Sequence, residues 1–167
     1  SYEDREQTHF DEEDVSGKLE GLIDRQLSLL MATLDESGFP HLSYSPYAWV
    51  DGFFYVLMSQ LAPHTAHVES HPEVEIMLIA DERDASQIYA RERAQWRCNV
   101  EKVADESEES ESICELMSER HGGIVELINS LGDFHLYRLL PGEGRYVAGF
   151  GKAYCIEGAR VREWLTG

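Results

Sequence analysis

Arg91, Arg93 and Arg97 stand two and four positions apart in the run IYARERAQWR. Guanidinium groups on one side of an extended segment suit the recognition of a carboxylate or a phosphate. In a chain with 32 acidic against 14 basic residues and a net charge of −18, such a row is a local cationic island. Its bland alternative is pairing with Asp81, Glu82 and Asp84 just upstream. Histidine is the second resource: no Lys or Arg occurs between Arg25 and Arg83, yet His41, His64, His67 and His71 all fall there. The spacing of His64, His67 and His71 would line one helix face and is compatible with zinc, but no HExxH is present to supply the Glu base of a metalloprotease. The segment therefore reads first as a solvated helix ending at Pro72. Asp133, just before the run FHLYRLL, either caps a turn or hydrogen-bonds a ligand of a cofactor. GFGKAY lacks the strand-to-helix context of a dinucleotide loop, and no GxSxG is present.

The elements that position these residues follow from periodicity. Val15, Leu19, Leu22 and Ile23 predict an amphipathic helix over Asp14 to Gln26. LSLLMATLD, HLSYSPYAWV and FFYVLMS are short apolar or alternating runs joined by ESGFP and DG, which predicts a β-meander. APHTAHVESH predicts a short helix, and VEIMLIAD a strand buried on both faces. SQIYARERAQWRCNVEKV reads as a strand with the three arginines on one face and Ala94, Trp96 and Cys98 on the other. Glu106 to Leu131 reads as helix, broken at Gly122 and Gly123. FHLYRLL and RYVAGFGKAYCI read as strands separated by a PGEG turn, and GARVREWLTG as the start of a helix. The sum is one mainly β domain with helices (α+β) over residues 1–167. Its six or seven antiparallel strands would form a small closed or partly closed barrel with helices at the ends. Residues 1–14 read as an acidic tail and 159–167 as the start of a C-terminal segment.

The charge opposes binding to nucleic acid or to an anionic membrane, and no apolar run is long enough to cross a bilayer. The acidic N-terminal stretch has no apolar core of an export signal, so the expected location is the cytoplasm. Cys98, Cys114 and Cys155 are odd in number and far apart, and read as reduced, buried thiols.

Taken in order, MATLDESGFPHLSYSPY, FFYVLMSQLAPHTAHVESHPEVEIMLIADE, IYARERAQW and DFHLYRLLPGEGRYVAGFGKAY resemble the haem-utilisation proteins of the HugZ/HutZ type, within the pyridoxamine 5′-phosphate oxidase-like split-barrel superfamily. The likeness runs from about Leu29 to Gly158. It implies an antiparallel split β-barrel that is homodimeric, with a cofactor between subunits: haem in this branch, FMN elsewhere in the superfamily. It implies haem-degrading, oxygenase-like activity fed by an electron donor, with a flavin-dependent oxidoreductase as the alternative. By position, Ser59, His64, Thr65, Arg91 and Arg93 match cofactor-binding residues, with His67 where the family has Asn. Arg93 matches a residue on the distal side of haem. Asp133 matches the acid that bonds the iron-ligating histidine and tunes it. That histidine is expected beyond Gly167. Tyr47, Trp49, Phe53 and Tyr55 are candidates for the walls of an apolar slot.

Overall fold

A computed structural model describes residues 11–165. Its first element is helix α1 (Glu12–Arg25). The Asp11 carboxylate accepts from the backbone N–H groups of Glu13 and Asp14, and Glu12, Glu13 and Asp14 lie in the first turn, where acids are favoured. This cap starts the helix two residues before the sequence pattern does. Residues 12–14 therefore belong to the helix and not to an acidic tail; residues 1–10 of that expected tail lie outside the described residues.

Nine strands follow among the described residues: β1 (Ser28–Leu34), β2 (Pro40–Pro46), β3 (Ala48–Val50), β4 (Phe53–Ser59), β5 (Glu73–Ile79), β6 (Arg93–Lys102), β7 (Phe134–Gly149), β8 (Lys152–Glu157) and β9 (Arg160–Leu165). They form one antiparallel sheet in the order β2-β1-β5-β6-β7-β4-β3, with β8 added to β7 and β9 to β8. The sheet curls into a half-barrel. Val15, Leu19, Leu22 and Ile23 of α1 enter its core beside Tyr47, Phe54, Trp96 and Tyr146. A smaller core of Tyr55, Ile113, Met117, Val125 and Leu136 lies under α3 (Glu108–His121) and α4 (Ile124–Ser130). The Arg138 guanidinium locks α3 onto the sheet, donating to Glu109 (2.6 Å) and to Glu101 (2.7 Å).

Three expectations are corrected. PGEG is no turn, because β7 runs through it: between Trp96 and Cys98 β6 contributes only Arg97, while β7 contributes Gly142 and Glu143, a bulge that bends the long strand. The hairpin instead turns around Phe150 and Gly151, where Gly151 has φ of 70°. GARVREWLTG does not begin a helix. Val161 and Trp164 satisfy helical spacing, but Arg160–Leu165 pairs with β8, and the ladder decides. The strand expected from Ser86 begins only at Arg93, after short 3₁₀ turns at Glu82–Asp84 and Ile88–Ala90. The Gln87 side chain accepts from the Tyr89 N–H and holds the second turn.

The proposed slot aromatics are mostly core. Tyr47 is fully buried, donates its O–H to the Ile23 carbonyl (2.6 Å) and packs edge-on against Phe54; Tyr55 is also buried. Of the thiols, Cys98 is buried and its pKa is pushed up to about 12 by burial and the Glu75 charge, whereas Cys114 and Cys155 are only half-buried.

Candidate cofactor site

Ser59, the last residue of β4, donates from its hydroxyl to Asp133 Oδ2 (3.0 Å) and accepts at the same oxygen from the Leu61 N–H (3.1 Å). The Gln60 N–H donates to the Asp133 carbonyl (2.7 Å), and the buried Thr65 hydroxyl donates to the Ser59 carbonyl. Ser59, Thr65 and Asp133 thus form one knot, made where the strand leaves the sheet and helix α2 (Pro63–Ser70) begins. Beside it, His64 Nδ1 is hydrogen-bonded to Ser43 Oγ (2.8 Å) and His67 Nδ1 to Thr33 Oγ1 (2.8 Å). The His41 ring meets His67 edge-on at 5.0 Å. The histidines that gather are therefore His41, His64 and His67, drawn from β2 and α2, and His71 only ends the helix. Among the described residues no group of three or more His, Cys, Asp or Glu is placed to hold a metal ion. His121 and His135 serve the framework: His121 Nε2 bonds the Tyr47 carbonyl (2.8 Å), and His135 Nδ1 bonds Asp105 (3.0 Å).

Burial holds the His64 imidazole below its ordinary pKa of 6.5, and any charge on His41 or His67 pushes it the same way. The unfolded chain takes up this proton near 6.5 while the folded chain resists it, so acid favours unfolding. The contribution of His64 to stability is present above pH 6.5 and is lost as the pH falls from 6.5 through the folded value. The melting temperature of the wild type should fall more steeply between pH 7.5 and 5.5 than that of His64→Gln; parallel slopes would refute this.

The arginines sit elsewhere, and not as one face. Arg91 precedes β6; its Nε donates to the Ala80 carbonyl and its guanidinium lies 3.6 Å from Glu82. Glu82 is the one neutralising acid correctly expected from the sequence. Arg93 opens β6, and its Nη1 donates to the Arg91 carbonyl (2.8 Å). Arg97 lies at the bulge, opposite Glu75, and lines a cavity that also holds Glu73, Glu75 and Glu143. Arg93 borders a cavity lined by no carboxylate. That cavity, about 190 Å³, is lined by Tyr89, Arg93, Arg145, Phe150 and Lys152 together with small residues and Val147. The sequence reading missed Arg145 and Lys152. The signal was present: no Asp or Glu occurs from Gly144 to Ile156 in this highly acidic chain.

The knot and this cavity lie at opposite ends of one strand. Ser59 pairs with Phe134 and Arg93 with Val147, which at a strand rise of about 3.3 Å per residue leaves a contour of roughly 40 Å between them. One copy does not unite the expected site residues. The outer face of β1 and β2 is apolar: Leu30, Leu34, Leu42 and Tyr44 are 41%, 40%, 76% and 60% exposed, and Leu30, Leu42 and Met77 line a depression of about 350 Å³ whose β5–β6 side also carries Glu75 and Gln95. An antiparallel sheet facing water on that side would carry polar residues there.

Residues 15–148 match the family model described as pyridoxamine 5′-phosphate oxidase. Over 151 residues, 88% of this chain and 86% of the relative, the sequence is 36% identical to the haem oxygenase HutZ of Vibrio cholerae. A crystal structure described as HutZ, the haem storage protein from Vibrio cholerae, superposes with a TM-score of 0.71 at 34% identity, covering 75% of this chain and 88% of that one. ChuZ of Campylobacter jejuni superposes with a TM-score of 0.85 at 28% identity over 93% of this chain; the chain spans 64% of ChuZ. No helix is long and apolar enough to cross a membrane among the described residues.

Proposed function

The chain belongs to the pyridoxamine 5′-phosphate oxidase family, and on that premise we propose that it is a cytoplasmic haem-binding protein of haem iron utilisation that works as a homodimer. The observation that carries the reading is the match, along most of both chains, to a relative named for haem. The donor set agrees with it. Haem is an apolar disc with two carboxylates, and this chain offers exposed apolar sheet next to a cavity with cations and no acids.

A second copy packed through the outer face of β1, β2 and β5 would cover the exposed Leu42 and Tyr44. It would also allow the Arg93 end of one copy to meet the Ser59–Asp133 end of the other, which a single copy keeps apart. Ser59 and His64 would then lie on one side of the cofactor, with Thr65 buried behind them and bracing the Ser59 carbonyl, and Arg91 and Arg93 on the other. Ser59 holds the Asp133 carboxylate in place, so that Asp133 could accept a hydrogen bond from the N–H of an iron-ligating imidazole and strengthen its donation. The residue expected to supply that imidazole, beyond Gly167, lies outside the described residues. Arg93, braced by the Arg91 carbonyl, keeps a fixed positive charge and hydrogen-bond donors on the other side. When bound, haem supplies the iron and the oxidisable ring. The protein orients the disc, excludes water and fixes the proton donors around it. Oxidative degradation, the activity in one name of the relative, would draw electrons from a separate donor. Storage, the role in the other name, would not.

The FMN reading rests on the family alone. Strands β1 to β5 carry no Lys or Arg, so a flavin phosphate would depend on the cations of β6 to β8. Titration with haem and with FMN in parallel tests the choice. A saturating Soret band at one haem per chain, with no FMN bound, is the expected result; FMN bound stoichiometrically in place of haem would overturn it. Bleaching of the bound haem on adding ascorbate, with release of iron, would mark an oxygenase, and a stable spectrum a storage protein.

A further inference from the structure

We propose that Arg145 and Lys152, beside Arg93, form the carboxylate-recognition edge of the haem site, an inference that rests on the reading of this chain as a haem protein. Five of the thirteen Lys and Arg among the described residues are held in ion pairs: Lys18 with Asp14, Arg25 with Glu92, Arg91 with Glu82, Arg138 with Glu101 and Glu109, and Arg162 with Glu157. Arg93, Arg145 and Lys152 have no ion pair among the described residues, yet they line one cavity. Three like charges around one space repel one another, and nothing in the lining of that space offsets them. The cavity is built. Arg93 is held by the Arg91 carbonyl, and Arg145 sits in the β6–β7–β8 ladder opposite Gln95 and Cys155. Lys152 opens β8 directly after the tight turn at Gly151. Tyr89 and Phe150, 87% and 83% exposed, stand at the rim with their rings in solvent.

Two sizes decide what the cavity can take. At about 190 Å³ it is below the range of roughly 300–1,000 Å³ that encloses a whole drug-sized ligand, so it receives one edge of a larger molecule. Exposed aromatic rings beside a cationic pocket suit a flat apolar body that ends in anions. A porphyrin with two carboxylates on one edge has that shape. A flavin phosphate shares the anionic chemistry, and the test separates the two.

The full-length protein and the charge-reversed pair Arg145→Glu/Lys152→Glu are titrated, by fluorescence, with metal-free protoporphyrin IX, with its dimethyl ester and with FMN. The metal-free ring removes any contribution of iron ligation. Loss of both cations should weaken protoporphyrin IX binding by about tenfold or more while leaving the dimethyl ester unchanged. Arg145→Gln/Lys152→Gln should show a smaller loss in the same direction. Both side chains are exposed, so the thermal transition of either variant should match the wild type. Equal affinity of wild type and variants for the diacid overturns the proposal, as does an equal loss for diacid and ester, or a loss confined to FMN. A wild-type protein that binds no porphyrin removes the haem reading itself, and this inference with it.

Discussion

Replacing Leu42 by aspartate should convert the proposed dimer to a monomer and abolish haem binding without unfolding the chain. Leu42 is 76% exposed in the single copy, so the new carboxylate meets water there and the protomer keeps its core. In the proposed dimer the same position is covered. Each copy would lose the burial of a leucine, worth about 1.5–3 kcal/mol, and would set a charge into an apolar contact. A two-fold interface counts the substitution twice. The combined penalty of about 4 kcal/mol or more corresponds to association weaker by roughly a thousandfold or more. Sedimentation should show a monomer at concentrations where the wild type is dimeric, and the Soret titration should flatten. Leu42→Asp protein that stays dimeric would exclude this face from the contact.

Gly144→Ala should have the largest effect on the fold itself. A Cβ at this position would lie 2.2 Å from the Gln95 carbonyl oxygen and 2.8 Å from Trp96 Cδ1. Neither neighbour yields cheaply. Gln95 belongs to the β6–β7 ladder, and Trp96 is fully buried with its indole N–H donating to the Gly158 carbonyl (2.8 Å). Relief requires the two longest strands of the barrel to move apart beside the bulge. A loss of about 3 kcal/mol or more follows, which for a chain of this size lowers the melting temperature by roughly 6–12 °C. Circular dichroism melts at matched protein concentration would read it, since a dimer's transition depends on concentration. An unchanged midpoint would mean that β6 and β7 do not approach so closely at Gly144.

The barrel was legible because its signals are local. Alternation in β1, β2 and β4 and the turns between them sit within a few residues, as does the Asp51–Gly52 hairpin, where both residues have positive φ. The misreadings came where a distant partner decides. Val161 and Trp164 fit a helix as well as a strand until β8 is alongside. PGEG holds turn residues, yet the opposing strand makes it a bulge. Arg91 looked like the first of a row because its neighbours alternate, while the 3₁₀ turn capped by Gln87 takes it off the strand.

The site was legible in kind but not in arrangement. Asp133 is brought to Ser59 across 74 residues because β4 and β7 pair at those ends, and Thr65, six residues on from Ser59, joins them from the start of α2. Arg93 was found as a cation, but its companions were not. Arg145 and Lys152 look unremarkable singly, and only the absence of acids around them sets them apart. That the two halves lie at opposite ends of β7 is a fact of register, which no spacing in the sequence carries.

Mixed dimers test the central claim, a cofactor site shared between two copies, most directly. Arg93→Glu and His64→Glu each place a negative charge in one half of the site, and each homodimer should bind little haem. Combined in one dimer through two different affinity tags, they leave one site with both defects and the other with none. The account predicts one haem per mixed dimer, bound as tightly as by the wild type. A mixed dimer that binds no better than either parent would show that each site lies within a single chain, and would contradict it.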